Sequence, residues 1–205
     1  ILRVSMSPVG GILPEVSVFN MPFVFRDTDH QHKVLDGNIG TKLAQEISDS
    51  KLGLVFLGWM DAGSRSLITK KPVTSLDDLK GVKIRLQNNP IGLDTFKALG
   101  ANPIVLPVGD VFASLQTGVI DAAENNEPTF DTENYVVAGT KYFDLTEHFM
   151  IPEVLAFSKR KWSKLSPEDQ TLIMKLAKEA QAEERVLWAQ YVEKSKQRLQ
   201  SQGVK

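Results

Sequence analysis

Gly81-Val82-Lys83-Ile84-Arg85-Leu86-Gln87-Asn88-Asn89-Pro90 is the stretch that decides the fold class. Val82 to Leu86 alternates apolar and charged residues, the period of a half-buried strand. Gln87 to Asn89 stops it, and Asn89 followed by Pro90 reads as the N-cap and first residue of a helix. The spacing then predicts a helix over 91–99 ending at Gly100, a strand over 103–106, and a helix over 111–117 capped by Asp110 and closed by Gly118. A short buried strand over 118–123 ends in Glu124-Asn125-Asn126-Glu127-Pro128. Strands and helices alternating in units this short argue for an α/β fold with parallel strands and crossover helices. Strand tips that feed helix starts are where such sheets bind ligands. Arg85 at one tip would offer a planar, two-pronged donor for a carboxylate, with the asparagines supplying neutral hydrogen bonds beside it. The layout points to capture of a small organic acid and not to chemistry on it.

Upstream, residues 1–6 read as a strand and 8–14 as a loop with Gly10-Gly11. The apolar, aromatic run over 16–25 is expected to be buried. Helices are expected over 30–35, capped by Asp29, and over 39–47. A central strand over 52–59 precedes the loop Asp61-Ala62-Gly63-Ser64-Arg65-Ser66. Ser75-Leu76-Asp77-Asp78 reads as a helical turn with a capping box, closed by Gly81. Ser166-Pro167-Glu168-Asp169 is a strong start for a helix that runs unbroken to Gln200. Leu172, Ile173, Leu176, Ala177, Ala180, Leu187, Trp188, Tyr191 and Leu199 suggest one apolar face along it. So long a helix exceeds the usual length in a globular domain and is expected to brace two lobes. The opening inside a strand, and Gln202-Gly203-Val204-Lys205 reading as the start of another, predict a chain truncated at both ends.

Composition narrows the function. The 205 residues carry 24 basic and 25 acidic side chains, net −1, with no cluster of basic and aromatic residues. That argues against a nucleic-acid partner. No apolar run is long enough to span a bilayer. The absence of cysteine excludes disulfides, thiolate metal sites and a cysteine nucleophile. His30, His32 and His148 show no metal-ligand spacing, and no Walker loop, Gly-x-Gly-x-x-Gly or Gly-x-Ser-x-Gly elbow is present. No metal or cofactor is implied. Of the carboxylate pairs, Asp77-Asp78 and Glu183-Glu184 read as solvated helix faces, and no nucleophile or base stands out. Asn125 and Asn126 also suit an ordinary turn; Arg65, near Gly63, is ambiguous alone. Phe112 and Trp59 suit a core at least as well as the flat face of a ligand.

Asp78-Leu79-Lys80-Gly81-Val82-Lys83-Ile84-Arg85, Leu99-Gly100-Ala101-Asn102-Pro103 and Leu115-Gln116-Thr117-Gly118-Val119-Ile120-Asp121 together resemble the signature stretches of DctP-type solute-binding proteins. These serve tripartite ATP-independent periplasmic (TRAP) transporters. Pro22-Phe23, Val34-Leu35-Asp36-Gly37 and the long helix match the family in order, so the likeness covers essentially the whole chain. It implies a two-lobe, type II-like periplasmic-binding-protein fold in which residues 1–61 belong to lobe I and 62–148 to lobe II. Residues 149–205 return to lobe I with a bridging helix over 166–200. It further implies a monomer that captures a small carboxylate in the periplasm and delivers it to the membrane permease. Arg85 corresponds to the family's carboxylate clamp, with Arg65, Asn125 and Asn88 as further ligand contacts; Asn126 and Glu124 beside them complete the candidate site. Where the family usually has glycine after the aspartate, this chain has Ala122. Glu124-Asn125-Asn126-x-Pro128 and Trp59 to Arg65 are similar to the subgroup that binds hexuronates and related sugar acids such as diketogulonate. The alternatives are an α/β enzyme on sugar acids using Glu124 or Glu127 as base, or a ligand-sensing domain on the same fold.

Overall fold

The computed structural model describes residues 1–205. The chain opens with β1 (Leu2–Ser5) and two 3-10 segments, then enters α1 (Thr28–Leu35), α2 (Asn38–Asp49), β2 (Leu54–Met60) and β3 (Arg65–Thr69). The expected alternation follows as β4 (Lys83–Leu86), α3 (Pro90–Ala98), β5 (Asn102–Val105), α4 (Val111–Thr117), β6 (Ala122–Asn125) and α5 (Glu127–Thr132). Then come β7 (Tyr142–Phe149), β8 (Glu153–Ser158), the single turn α6 (Lys159–Trp162) and the 35-residue α7 (Pro167–Ser201).

The strands form two sheets. One is three-stranded, ordered β1-β8-β2, with β8 antiparallel to both neighbours. The other is five-stranded, ordered β5-β4-β6-β3-β7. Here β4 is parallel to β5 and β6, whereas β3 is antiparallel to β6 and β7. The chain passes between the sheets at residues 61–64 and again at 150–152. Helix α7 packs on β2 from one sheet and on α5 from the other side, so it spans both. Just after it, Lys205 donates its N–H to Lys141 and accepts from Phe143 N–H, both at 2.9 Å, the pattern of a parallel bridge to β7.

The caps explain where helices begin. Asn89 accepts from Gly92 N–H at 3.1 Å and Ser166 from Asp169 N–H at 3.1 Å, as their sequence contexts predict. The Asp78 carboxylate returns to Ser75 N–H at 2.9 Å. Two expected caps differ. Asp27, not Asp29, caps α1 by accepting from His30 N–H at 2.7 Å, because Asp27 is the last extended residue before the helical turn. Asp110 already has helical backbone angles, so its side chain caps nothing. Gly118 closes α4 with φ +76, and the chain must turn away before pairing resumes. The sixth strand therefore covers Ala122–Asn125 and not 118–123, which puts Glu124 and Asn125 inside the ladder.

Three packing expectations are corrected. β2 is an outer strand of its sheet, not a central one. Val16, Phe19 and Phe25 are buried, but Phe23 is largely exposed at φ +56. The face that α7 turns to the sheets is apolar only in part: Ala177 and Leu199 are buried as expected, but Ser195 is buried between them, and Gln181 and Glu184 bond to the backbone of Trp59 and Asp61. Leu172, Leu176 and Leu187 are more than half exposed. Glu184, expected on a solvated face, is instead half-buried, and burial raises its pKa above the usual carboxylate range. Trp59 lies in the larger core, edge-on to Phe19, and Phe112 packs against the smaller one. Ala122 is buried in an extended strand, so its methyl needs no unusual backbone.

Gly40 tests the close approach of α1 and α2. A Cβ on Gly40 would lie 1.9 Å from the Leu35 carbonyl oxygen. Glycine to alanine inside a helix ordinarily stabilises by about 1 kcal/mol. Gly40→Ala is expected to reverse that sign and destabilise by about 1–3 kcal/mol or more, because the backbones must separate. Urea unfolding of the full-length protein measures it; a stabilised variant would refute the packing.

Candidate ligand-binding site

Three neighbouring strands bring the expected residues to one end of the five-stranded sheet. Arg85 on β4 lies opposite Ile104 of β5 and Ala123 of β6. On the far side of β6, β3 pairs Ser66 with Asn125 and Leu67 with Glu124. Side chains alternate along a strand, and opposed residues share a face. Arg85 and Asn125 therefore rise from one face, Arg65 and Glu124 from the other, and both pairs meet near the carboxyl ends of β4 and β6.

Arg65 and Glu124 form a buried ion pair. Nε and Nη2 of Arg65 donate to the carboxylate at 2.5 and 2.7 Å, and Nη2 also donates to the Glu124 carbonyl at 2.8 Å. Nη1 donates to Asn125 Oδ1 at 2.9 Å. His148 on β7 closes the cluster, with Nε2 3.6 Å from the Glu124 carboxylate and Nδ1 2.7 Å from Thr146 Oγ1. Burial alone would raise the Glu124 pKa. The charge of Arg65, the His148 ring and the Arg65 hydrogen bonds together outweigh it and hold the carboxyl at about 2 against an ordinary 4.5.

Arg85 is placed differently. It is 3% exposed, and its Nε donates to the Leu106 carbonyl at 2.9 Å. Its terminal nitrogens make no hydrogen bond within the chain, and no carboxylate pairs with it. Burial first, and the charge of Arg65 second, push its pKa down; Glu124 and Tyr135 offset only part of this. Beside it the Tyr135 hydroxyl is buried without a partner and raised to about 12, chiefly by burial. With Glu124 bound to Arg65, the guanidinium of Arg85 is a buried positive charge with a free two-pronged donor edge. An acid carboxylate is the chemistry that completes it.

The asparagines divide. Asn125 is buried; its Oδ1 is taken by Arg65 and by Asn126 N–H, which leaves its amide nitrogen without a partner in the chain. Asn126 is also buried, but both ends of its amide are used: Oδ1 accepts from Thr129 N–H at 2.8 Å and Nδ2 donates to the Ala62 carbonyl at 2.7 Å. Asn88 is exposed at the end of β4. Two residues carried no local signal. Gln87 accepts from Ser5 Oγ at 3.2 Å, a link from β4 to β1 of the other sheet. His148 reaches Glu124 only because β7 lies beside β3.

The family model for bacterial extracellular solute-binding protein family 7, DctP, matches residues 1–205. The chain belongs to that family. A TRAP periplasmic solute-binding protein from Pseudomonas putida F1, solved with bound D-glucuronate, is 51% identical and superposes with a TM-score of 0.96, covering 99% of this chain and 66% of that one. A TRAP periplasmic solute-binding protein from Citrobacter koseri is 49% identical in two forms. With bound D-glucuronate it superposes at 0.95, and as an apo, open structure at 0.87; each covers 99% of this chain and 67% or 68% of that one. This DctP chain superposes more closely on the D-glucuronate-bound form than on the apo, open one. The 2,3-diketo-L-gulonate-binding periplasmic protein YiaO of Escherichia coli is 35% identical over 195 residues, 95% of this chain and 58% of that protein. The chain spans about three fifths of the length of the curated relatives it matches.

The ion pair sets a pH dependence. The folded-state pKa of Glu124 lies below its unfolded value, so its stabilisation is fully present above about pH 5 and is lost as pH falls from 4.5 toward about 2. Glu124→Gln is expected to cost about 3–5 kcal/mol at pH 7, because Arg65 stays buried and charged. At pH 3 the difference between variant and parent is expected to shrink. Equal losses at both pH values, by urea unfolding, would show that Glu124 is not an ionised partner.

Proposed function

We propose that the protein of which this chain is part captures a hexuronate in the cleft between its two sheets and delivers it to the membrane permease of a TRAP transporter. The observation that carries this reading is Arg85, a buried guanidinium with a free donor edge and no acid partner in the chain. In this reading Arg85 grips the ligand carboxylate in two-pronged fashion. The free amide of Asn125, the one N–H left on Nη1 of Arg65 and the exposed Asn88 meet the oxygens around it. Glu124 and Asn126 serve the site by holding Arg65 and the β6 tip in place. The glucuronate-bound relatives support a sugar acid as the ligand class. The lobes follow the crossings, with lobe I comprising 1–61 and 149–205 and lobe II 62–148. No helix is long and apolar enough to cross a membrane. The protein works as a monomer in the periplasm, by binding and without turnover.

An enzymatic role is disfavoured by the same geometry. Glu124, the carboxylate nearest the clamp, is locked by Arg65 and held near pKa 2, far below what a general base at neutral pH requires.

The clamp predicts an order of effects in full-length protein, measured by calorimetry with D-glucuronate and D-galacturonate. Arg85→Lys is expected to lose about 2–5 kcal/mol of binding, because an ammonium cannot reproduce the planar fork. Asn125→Ala is expected to lose about 1–2 kcal/mol, the scale of a neutral hydrogen bond. Wild-type affinity in Arg85→Lys would move the carboxylate site elsewhere. Conversion of either sugar acid, followed by NMR, would replace the binding function with an enzymatic one.

A further inference from the structure

The crossing at residues 61–64 is held from two directions. Glu184 of α7 accepts from Asp61 N–H at 3.0 Å, and Asn126 donates to the Ala62 carbonyl at 2.7 Å. Gly63 follows with φ +66, a left-handed turn that glycine adopts without strain. A Cβ there would lie 3.2 Å from Trp188 Nε1 and 3.8 Å from Asn126 Cβ, so the crossing runs in a slot between α7 and the β6 tip. Arg65 begins the next strand only two residues later.

Asn126 belongs to the other side of this contact. Its backbone N–H donates to Asn125 Oδ1 at 2.9 Å, the same oxygen that accepts from Arg65. A single buried amide thus touches the cap of α5, the crossing between sheets and, through its neighbour, the arginine at the site. We propose that Asn126 is a positioning residue that couples ligand capture to lobe closure by tying the β6 tip to the crossing at Ala62. This rests on the binding reading above and extends it to a residue that need not touch the ligand. Ala62 lies inside the crossing, so rotation of one sheet relative to the other about residues 61–64 turns its carbonyl against the β6 tip and strains the Asn126–Ala62 bond. In the structure the bond is intact at 2.7 Å. Losing it leaves the Ala62 carbonyl, buried in the slot, without a donor, which penalises the closed form.

Asn126 also caps α5, and the two roles can be separated. Serine is as good a cap as asparagine, but its short hydroxyl cannot also reach Ala62. Aspartate keeps the cap and turns a carboxylate oxygen toward the Ala62 carbonyl. Because the chain has no cysteine, dyes can be placed on full-length protein through Lys42→Cys and Lys97→Cys, exposed positions beside the two sheets. Single-molecule energy transfer then reads the open and closed populations, and stopped-flow reads D-glucuronate binding.

Asn126→Ser is expected to melt within about 2 °C of the parent, to populate the open form more in the absence of ligand, and to release D-glucuronate about tenfold faster. Asn126→Asp is expected to do so more strongly, while the association rate of both changes less than twofold. Unchanged populations and release rates in both variants would overturn the coupling and leave Asn126 a cap. A loss of release control matched by a large fall in melting temperature in both would also overturn it, in favour of a purely structural role. If the parent binds no sugar acid, the uronate reading fails, and the ligand-free populations alone decide the coupling.

Discussion

The buried ion pair between Arg65 and Glu124 is the constraint on which the site depends. Neither charge is tolerable in that environment alone, since desolvation of an unpaired ion outweighs what surrounding dipoles return. Together they bind β3 to β6 by side chain as well as by ladder, and they absorb most of Arg65's donors. The consequence falls on Arg85. With the nearest carboxylate already taken, its guanidinium stays buried and unmatched, and the site carries a standing demand for an anion.

The surrounding architecture is arranged to leave that demand unmet by the protein. Arg85 and Glu124 sit on adjacent strands but rise from opposite faces of the sheet, because their register differs by one residue. A one-residue shift in the pairing of β6 would turn Glu124 to the Arg85 face and give Arg85 an acid partner within the chain. The strand begins at Ala122 because Gly118 ends α4 in the left-handed conformation and the chain needs three more residues to return to the sheet.

Helix α7 shows how polar groups hold the crossing between the sheets. Its contact face carries Gln181 and Glu184, which accept backbone N–H groups at the end of β2 and at the crossing. Arg185 adds a two-pronged pair with Asp36, and Arg3, at the start of the chain, bonds to the Asp61 carbonyl. An apolar seam would bury more area, but it could not satisfy the unpaired backbone groups where β2 leaves its sheet.

Much of this was legible in the chain itself. The alternation in Val82–Leu86, the Asn89-Pro90 cap and the glycines at 100 and 118 specify strand and helix locally, because backbone preference and burial period act over a few neighbours. The same residues place Arg85 at a strand tip. What the chain could not reveal was anything set by pairing between distant strands. The partner of Glu124 depends on β3 lying beside β6, and the burial of His148 depends on β7 lying beside β3. The bond from Asn126 to the Ala62 carbonyl depends on where the crossing passes. The apolar residues of α7 were visible as well, but not the face the helix would turn inward, since rotation of a helix about its axis is settled by the groups it meets. Sequence determined the elements and the charged residue that matters; tertiary structure alone decided which charges cancel, because cancellation is a property of distance.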